Sequence, residues 1–171
     1  TVSVADPQDL TEHLAAIVKE HKPDVVLIDI AGTYERALTV AIARANLTII
    51  PAGPSEADIF EAARGARHIR SVYQAFGRGP LYRVLLTRVQ PLASHAQVHA
   101  CAEIDRLKLP VFATAIQHRA AYMEIGLSGL PPHFSERGRA TVSKAVTELN
   151  GLVDEIVDLL NSANSGMKGA A

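Results

Sequence analysis

The stretch DVVLIDIAG, Asp24 to Gly32, decides how the rest of the chain is read. Val25, Val26, Leu27 and Ile28 form an apolar run with no polar alternation, the pattern of a strand covered on both faces inside a parallel sheet. Asp29 ends the run, at the carboxyl end where open α/β sheets hold their ligands, and Gly32 follows three positions later. In phosphate-binding switches this D-x-x-G spacing lets the acid hold Mg²⁺, usually through water, while the glycine lets a backbone N–H approach a terminal phosphate. A buried strand that meets a turn-forming Asp and Gly has the same spelling. On this stretch alone the two readings stay open.

Before it, Asp6 and Pro7 read as an N-cap and first helical residue, with Leu10, Leu14, Ile17 and Val18 at helical spacing and Pro23 as the stop. After it, an alanine-rich helix from about 35 to 45 leads to a strand at Leu47–Ile50 ended by Pro51. Ser55 and Asp58 make a capping box for a long helix reaching about Phe76. Ile59, Ala62, Ala66, Ile69, Tyr73 and Phe76 share one side of it, and Arg64, Arg67 and His68 the other. A third strand is expected at Tyr82–Thr87 and a helix at Ser94–Leu107 with Val98, Ala102 and Ile104 inward. A fourth strand, Val111–Ala113, a short helix near Arg119–Ile125, a Gly- and Pro-rich loop and a last helix, Glu136–Leu160, complete the series. The expected organisation is one α/β domain over 1–160, a parallel sheet with flanking helices, and a disordered tail over 161–171.

The chain has 171 residues, with 17 basic and 18 acidic side chains that nearly cancel, so any DNA-binding surface has to be a local patch. Cys101 is the sole cysteine, which excludes an internal disulfide and fits a reducing, cytoplasmic setting. No apolar run approaches the roughly 20 residues of a membrane span. His95 and His99 have the four-residue spacing of a two-histidine metal face, but no H-E-x-x-H glutamate accompanies them and a surface role is favoured. No G-x-S-x-G elbow supports hydrolase chemistry.

Taken in order, PDVVLIDIAG, ANLTIIPAGPSEADIFEA, LLTRV and PVFATAIQHRAAYMEIG resemble the ParA/MinD family of deviant Walker-motif ATPases, over about Asp24 to Leu160. The resemblance implies a SIMIBI-type P-loop NTPase fold that binds ATP and Mg²⁺. Asp29 then matches the Walker B acid, acting on Mg²⁺ through water, and Gly32 the switch glycine. Thr87 and Arg88 match the strand end near the nucleotide base, and Gln117 and Arg119 the segment that closes over it. It further implies a homodimer, non-specific DNA association, to which Arg64, Arg67 and Arg78 are assigned, and a partition or DNA-transfer partner that stimulates hydrolysis. Plainer roles stay open: Thr87 as a turn cap, Arg119 as a helix-start residue near a carboxylate, and the arginines as a solvated helix face.

The chain departs from the family in one respect. Its lysines are Lys19, Lys22, Lys108, Lys144 and Lys168, and none lies in a K-G-G-x-G-K-[ST] loop. It therefore reads as a family member without the N-terminal strand and P-loop, inactive alone as an ATPase and prone to associate through an uncovered sheet edge. Two further readings are an interaction module with a degenerate nucleotide site and a small-molecule α/β enzyme.

Overall fold

A computed structural model describes residues 9–30, 35–77, 79, 81–134 and 139–168. The chain divides into two compact units, Thr1–Thr48 with His68–Leu81, and Ile49–Arg67 with Tyr82–Ala171.

In the first unit, helix α1 (Leu10–His21) opens at N-cap Asp9; Asp6 and Pro7 lie outside the described residues. Lys22 closes it in the left-handed conformation, φ 43°, with its N–H donated to the Val18 carbonyl at 3.1 Å. α1 packs with α2 (Glu35–Arg44), and Leu10, Ala37, Ala41 and Ile42 are buried. His68–Ala75, the end of α3 (Glu56–Ala75), belongs here too. Its Tyr73 ring is buried, and the Tyr73 hydroxyl donates to the Ala45 carbonyl at 3.2 Å, so a buried polar atom is satisfied. Phe76, expected inward, is 60% exposed because the helix has already ended at Ala75.

The strand expected at Asp24–Asp29 is not formed. Residues 25–30 have no regular secondary structure, and Val25 and Leu27 are 71% and 90% exposed. An apolar run becomes a strand only by sharing a hydrogen-bond ladder, and no strand among the described residues pairs with it. The apolar pattern states what the segment would bury, not that a partner is there.

The second unit is built on a small parallel sheet of β1 (Thr48–Ala52, of which Ile49–Ala52 belong here) and β2 (Tyr82–Leu86), flanked by helices. Pro51 lies inside β1 rather than after it. The expected fourth strand is reduced to a parallel bridge, Val84 to Val111, followed by another from Val89 to Gln117. Even-numbered positions of β2 face this segment: Val84 N–H donates to the Pro110 carbonyl at 2.8 Å, and the Leu86 carbonyl accepts from Ile116 N–H at 2.8 Å. Thr87 faces the opposite way, donating its N–H to the Ala52 carbonyl of β1 at 2.9 Å. Strict alternation would also turn Val89 toward β1. Arg88 prevents this. Its left-handed backbone, φ 57°, reverses the parity, so Val89 N–H reaches the Ile116 carbonyl at 3.2 Å and its carbonyl accepts from His118 at 2.9 Å.

Helix α4 (His95–Leu107) starts at Ser94, whose hydroxyl accepts from Gln97 N–H. Its buried positions are Gln97, Ala100 and Ile104; Val98 and Ala102, expected inward, are exposed. The displacement follows from Gln97, a polar residue turned inward because its amide bonds both the N–H and the carbonyl of Gln90 and ties down the loop after β2. Short helices α5 (Ala120–Met123) and α6 (Ile125–Ser128) and a 3₁₀ turn (Pro132–Phe134) precede α7 (Arg139–Lys168), which packs on α5 and the turn. α7 continues to Lys168, through residues whose composition reads as a disordered tail. No helix among the described residues is long and apolar enough to cross a membrane.

Candidate functional site

Four residues singled out by the sequence come together at the carboxyl end of β2. Thr87, Arg88, Gln117 and Arg119 line one pocket with Ile116, His118, Tyr122 and Met123, enclosing about 200 Å³. That is below the roughly 300–1,000 Å³ that encloses a drug-sized ligand. Ile116, Met123 and the Tyr122 ring supply apolar wall, and Thr87, Gln117 and the arginines supply polar groups.

Each wall has a local cause. Thr87 donates its hydroxyl to the Ala52 carbonyl at 3.3 Å, which anchors it across the sheet instead of capping a turn. Arg88, exposed, is turned toward the start of α3, where it lies 3.7 Å from Asp58. Asp58 accepts from the Ser55 hydroxyl at 2.6 Å and donates its N–H to that oxygen at 3.2 Å, which forms the Ser55 half of the capping box read from the sequence. Gly53 makes this junction possible: a Cβ there would lie 2.4 Å from Asp58 Oδ2 and 2.6 Å from Arg88 Nη2.

The floor of the pocket is fixed by an acid that sequence reading did not single out. Glu148, on α7, accepts from Arg119 Nε at 2.8 Å and from Arg119 Nη2. Its second oxygen lies 3.0 Å from the Tyr122 hydroxyl and 3.4 Å from Gln117 N–H. The Arg119 and Glu148 side chains are only 17% and 13% exposed, so the pair is held away from bulk water. The hydrogen bond to Glu148 raises the Arg119 guanidinium further above its ordinary value against the opposing effect of burial, and Arg119 stays a cation. Burial, then the neighbouring Glu148 carboxylate, pushes the Tyr122 hydroxyl well up, so it stays a neutral donor. Arg119 does sit at a helix start beside a carboxylate, as its plainer reading has it, and the same contact shapes the pocket. The missed signal is faint: Glu148 is one acid on a helix whose spacing reports only its apolar stripe.

Farther along α7, Glu155 accepts from the N–H groups of Ala113 and Thr114 at 2.8 and 2.6 Å. This carboxylate closes the backbone where the fourth strand would have continued.

The remaining candidates lie elsewhere. Asp29 belongs to the first unit, exposed on the irregular segment, and Gly32 and Arg78 lie outside the described residues. Arg64 and Arg67 are exposed on α3 with Phe60; Arg64 pairs with Glu61 at 3.4 Å, and no ion pair among the described residues engages Arg67. His99 lies 3.9 Å from Glu56, and no cluster of three metal-ligating side chains occurs among the described residues.

Over 159 residues, 91% of this chain, it is 24% identical to protein ParA of Rhizobium radiobacter, covering 72% of that protein. The chain is similar to ParA over most of its length. An alignment of the same length and identity relates it to maintenance of carboxysome distribution protein A of Halothiobacillus neapolitanus, covering 69% of that protein. No family model matches the chain.

Proposed function

We propose that this ParA-like chain carries the base-binding part of a partition or positioning ATPase, and that the pocket at Thr87, Arg88, Gln117 and Arg119 receives the adenine ring of ATP. The supporting observation is the convergence, at one strand end, of residues taken from two separate stretches that the family resemblance assigns to the base. The pocket's volume and its mixed apolar and polar lining suit a single ring system. ATP would supply the phosphoanhydride whose hydrolysis resets the protein. The residues described here hold and orient the base.

Asp29 fits Mg²⁺ only in part. A lone exposed carboxylate is a weak site, and Mg²⁺ ordinarily takes one or two carboxylates with phosphate oxygens and water, so Asp29 would act on the metal only beside a bound triphosphate. Dimerisation, non-specific DNA association through Arg64, Arg67 and Arg78, and a partner that stimulates hydrolysis belong to the same proposal, together with a partial P-loop NTPase fold. The test is a titration with a ribose-labelled fluorescent ATP and Mg²⁺, beside Met123→Asp. Saturable binding weakened by Met123→Asp supports the reading, and binding indifferent to that change contradicts it.

The exposed apolar segment Val25–Leu27 favours a second reading, an interaction module whose nucleotide site is degenerate. Absence of nucleotide binding would favour it.

A further inference from the structure

Gln117 has one carbonyl and one amino group, and the pocket decides which of them a ligand meets. Arg119 Nη2 lies 2.8 Å from Gln117 Oε1. A guanidinium has only donors, so the group turned toward it must be the carbonyl oxygen. Gln117 cannot flip without bringing two donors together. The Gln117 NH₂ group then remains, with no hydrogen-bond partner among the described residues, on a residue that lines the pocket. Arg119 in turn is held by two N–H donations to Glu148, which does not itself line the pocket.

We propose that Glu148 is a positioning residue for base recognition: through Arg119 it locks the Gln117 amide so that its NH₂ donates to a ring nitrogen of the bound purine. This deepens, and rests on, the reading of the pocket as a base site. One consequence is restrictive. The carbonyl is turned to Arg119, which leaves the NH₂ as the group that meets the ligand, so Gln117 reads a ring acceptor rather than the exocyclic amine.

The experiment is ligand-observed NMR of the whole chain with adenosine, nebularine (which lacks the exocyclic amine), and the 1-, 3- and 7-deaza analogues (each with one ring nitrogen replaced by C–H). Nebularine is expected to bind within about twofold of adenosine, and one deaza analogue about three- to tenfold more weakly, the loss of a single hydrogen bond. Gln117→Glu keeps the shape and removes the donor, so it should erase that deaza penalty while leaving the fold intact. Glu148→Ala should erase it as well, by freeing the amide to flip, and should let nebularine fall behind adenosine. If Glu148→Ala unfolds, the isosteric Glu148→Gln, which removes the charge that holds Arg119, is read in its place. Should wild type bind adenosine and show the same deaza pattern as Gln117→Glu, the proposal fails while the base pocket stands. Failure of wild type to bind any purine overturns both.

Discussion

Replacing Glu155 by alanine isolates one structural device, the carboxylate that closes the end of the 110–114 segment. It accepts two backbone N–H bonds, at 2.8 and 2.6 Å. Bonds to a charged acceptor contribute about 1.5–3 kcal/mol each when buried. Ala113 is exposed, so water replaces its share, and about 2 kcal/mol is the expected loss at neutral pH, roughly 4–8 °C in Tm for a chain of this size. The pH dependence has a definite sign. Burial pushes the Glu155 carboxyl up, but the Thr114 hydroxyl and the two amides together outweigh it and hold the group below its ordinary 4.5. A depressed carboxyl contributes stability above its unfolded value, and the contribution fades as pH falls through the folded value. Urea unfolding of wild type and Glu155→Ala should therefore differ by a constant amount from pH 7 down to about pH 5.5, and the difference should shrink as pH falls below 4.5 through the lowered folded value. Amide exchange at Ala113 and Thr114 should accelerate in the variant. A difference that persists unchanged at pH 3, or no difference at pH 7, would refute the reasoning.

Other expectations follow from single contacts. Gly53→Ala should separate Asp58 from Arg88 and loosen the cap of α3, lowering stability by about 1–2 kcal/mol in urea unfolding, whereas an alanine at exposed Gly79 should have no comparable effect. At Arg88 the Gly variant should be more stable than the Ala variant by about 1 kcal/mol, because only glycine adopts the left-handed backbone without penalty; equal stabilities would mean that the parity reversal at this residue stores no strain. If the α3 face touches DNA, Arg64→Ala with Arg67→Ala should weaken binding and flatten its salt dependence by about two phosphate contacts; an unchanged slope assigns the face to solvent.

Much of the helical framework was legible because helices announce themselves locally. Ser55 and Asp58 cap α3 as their spacing says, and Ile59, Ala62, Ala66, Ile69 and Tyr73 are buried as their periodicity says. Strands are less legible, because a ladder needs a partner that lies elsewhere in the sequence. Val25 to Ile28 has the composition of a buried strand and stays irregular, and Val111 keeps only a bridge. The pocket was half legible. Thr87, Arg88, Gln117 and Arg119 were named from order and resemblance, but Glu148, which holds Arg119 and the Gln117 backbone, was not. Long-range hydrogen bonds such as Arg119 to Glu148 leave no local pattern. Gln97 shows the same limit, since its inward turn depends on the Gln90 backbone.

The most direct measurement is backbone-amide NMR mapping of the chain titrated with ATP. Shift changes that saturate and cluster at Thr87, Arg88 and Ile116 to Tyr122 are the predicted result. Saturable changes confined to other parts of the chain, with these amides unmoved at millimolar nucleotide, would contradict a base pocket at the end of β2.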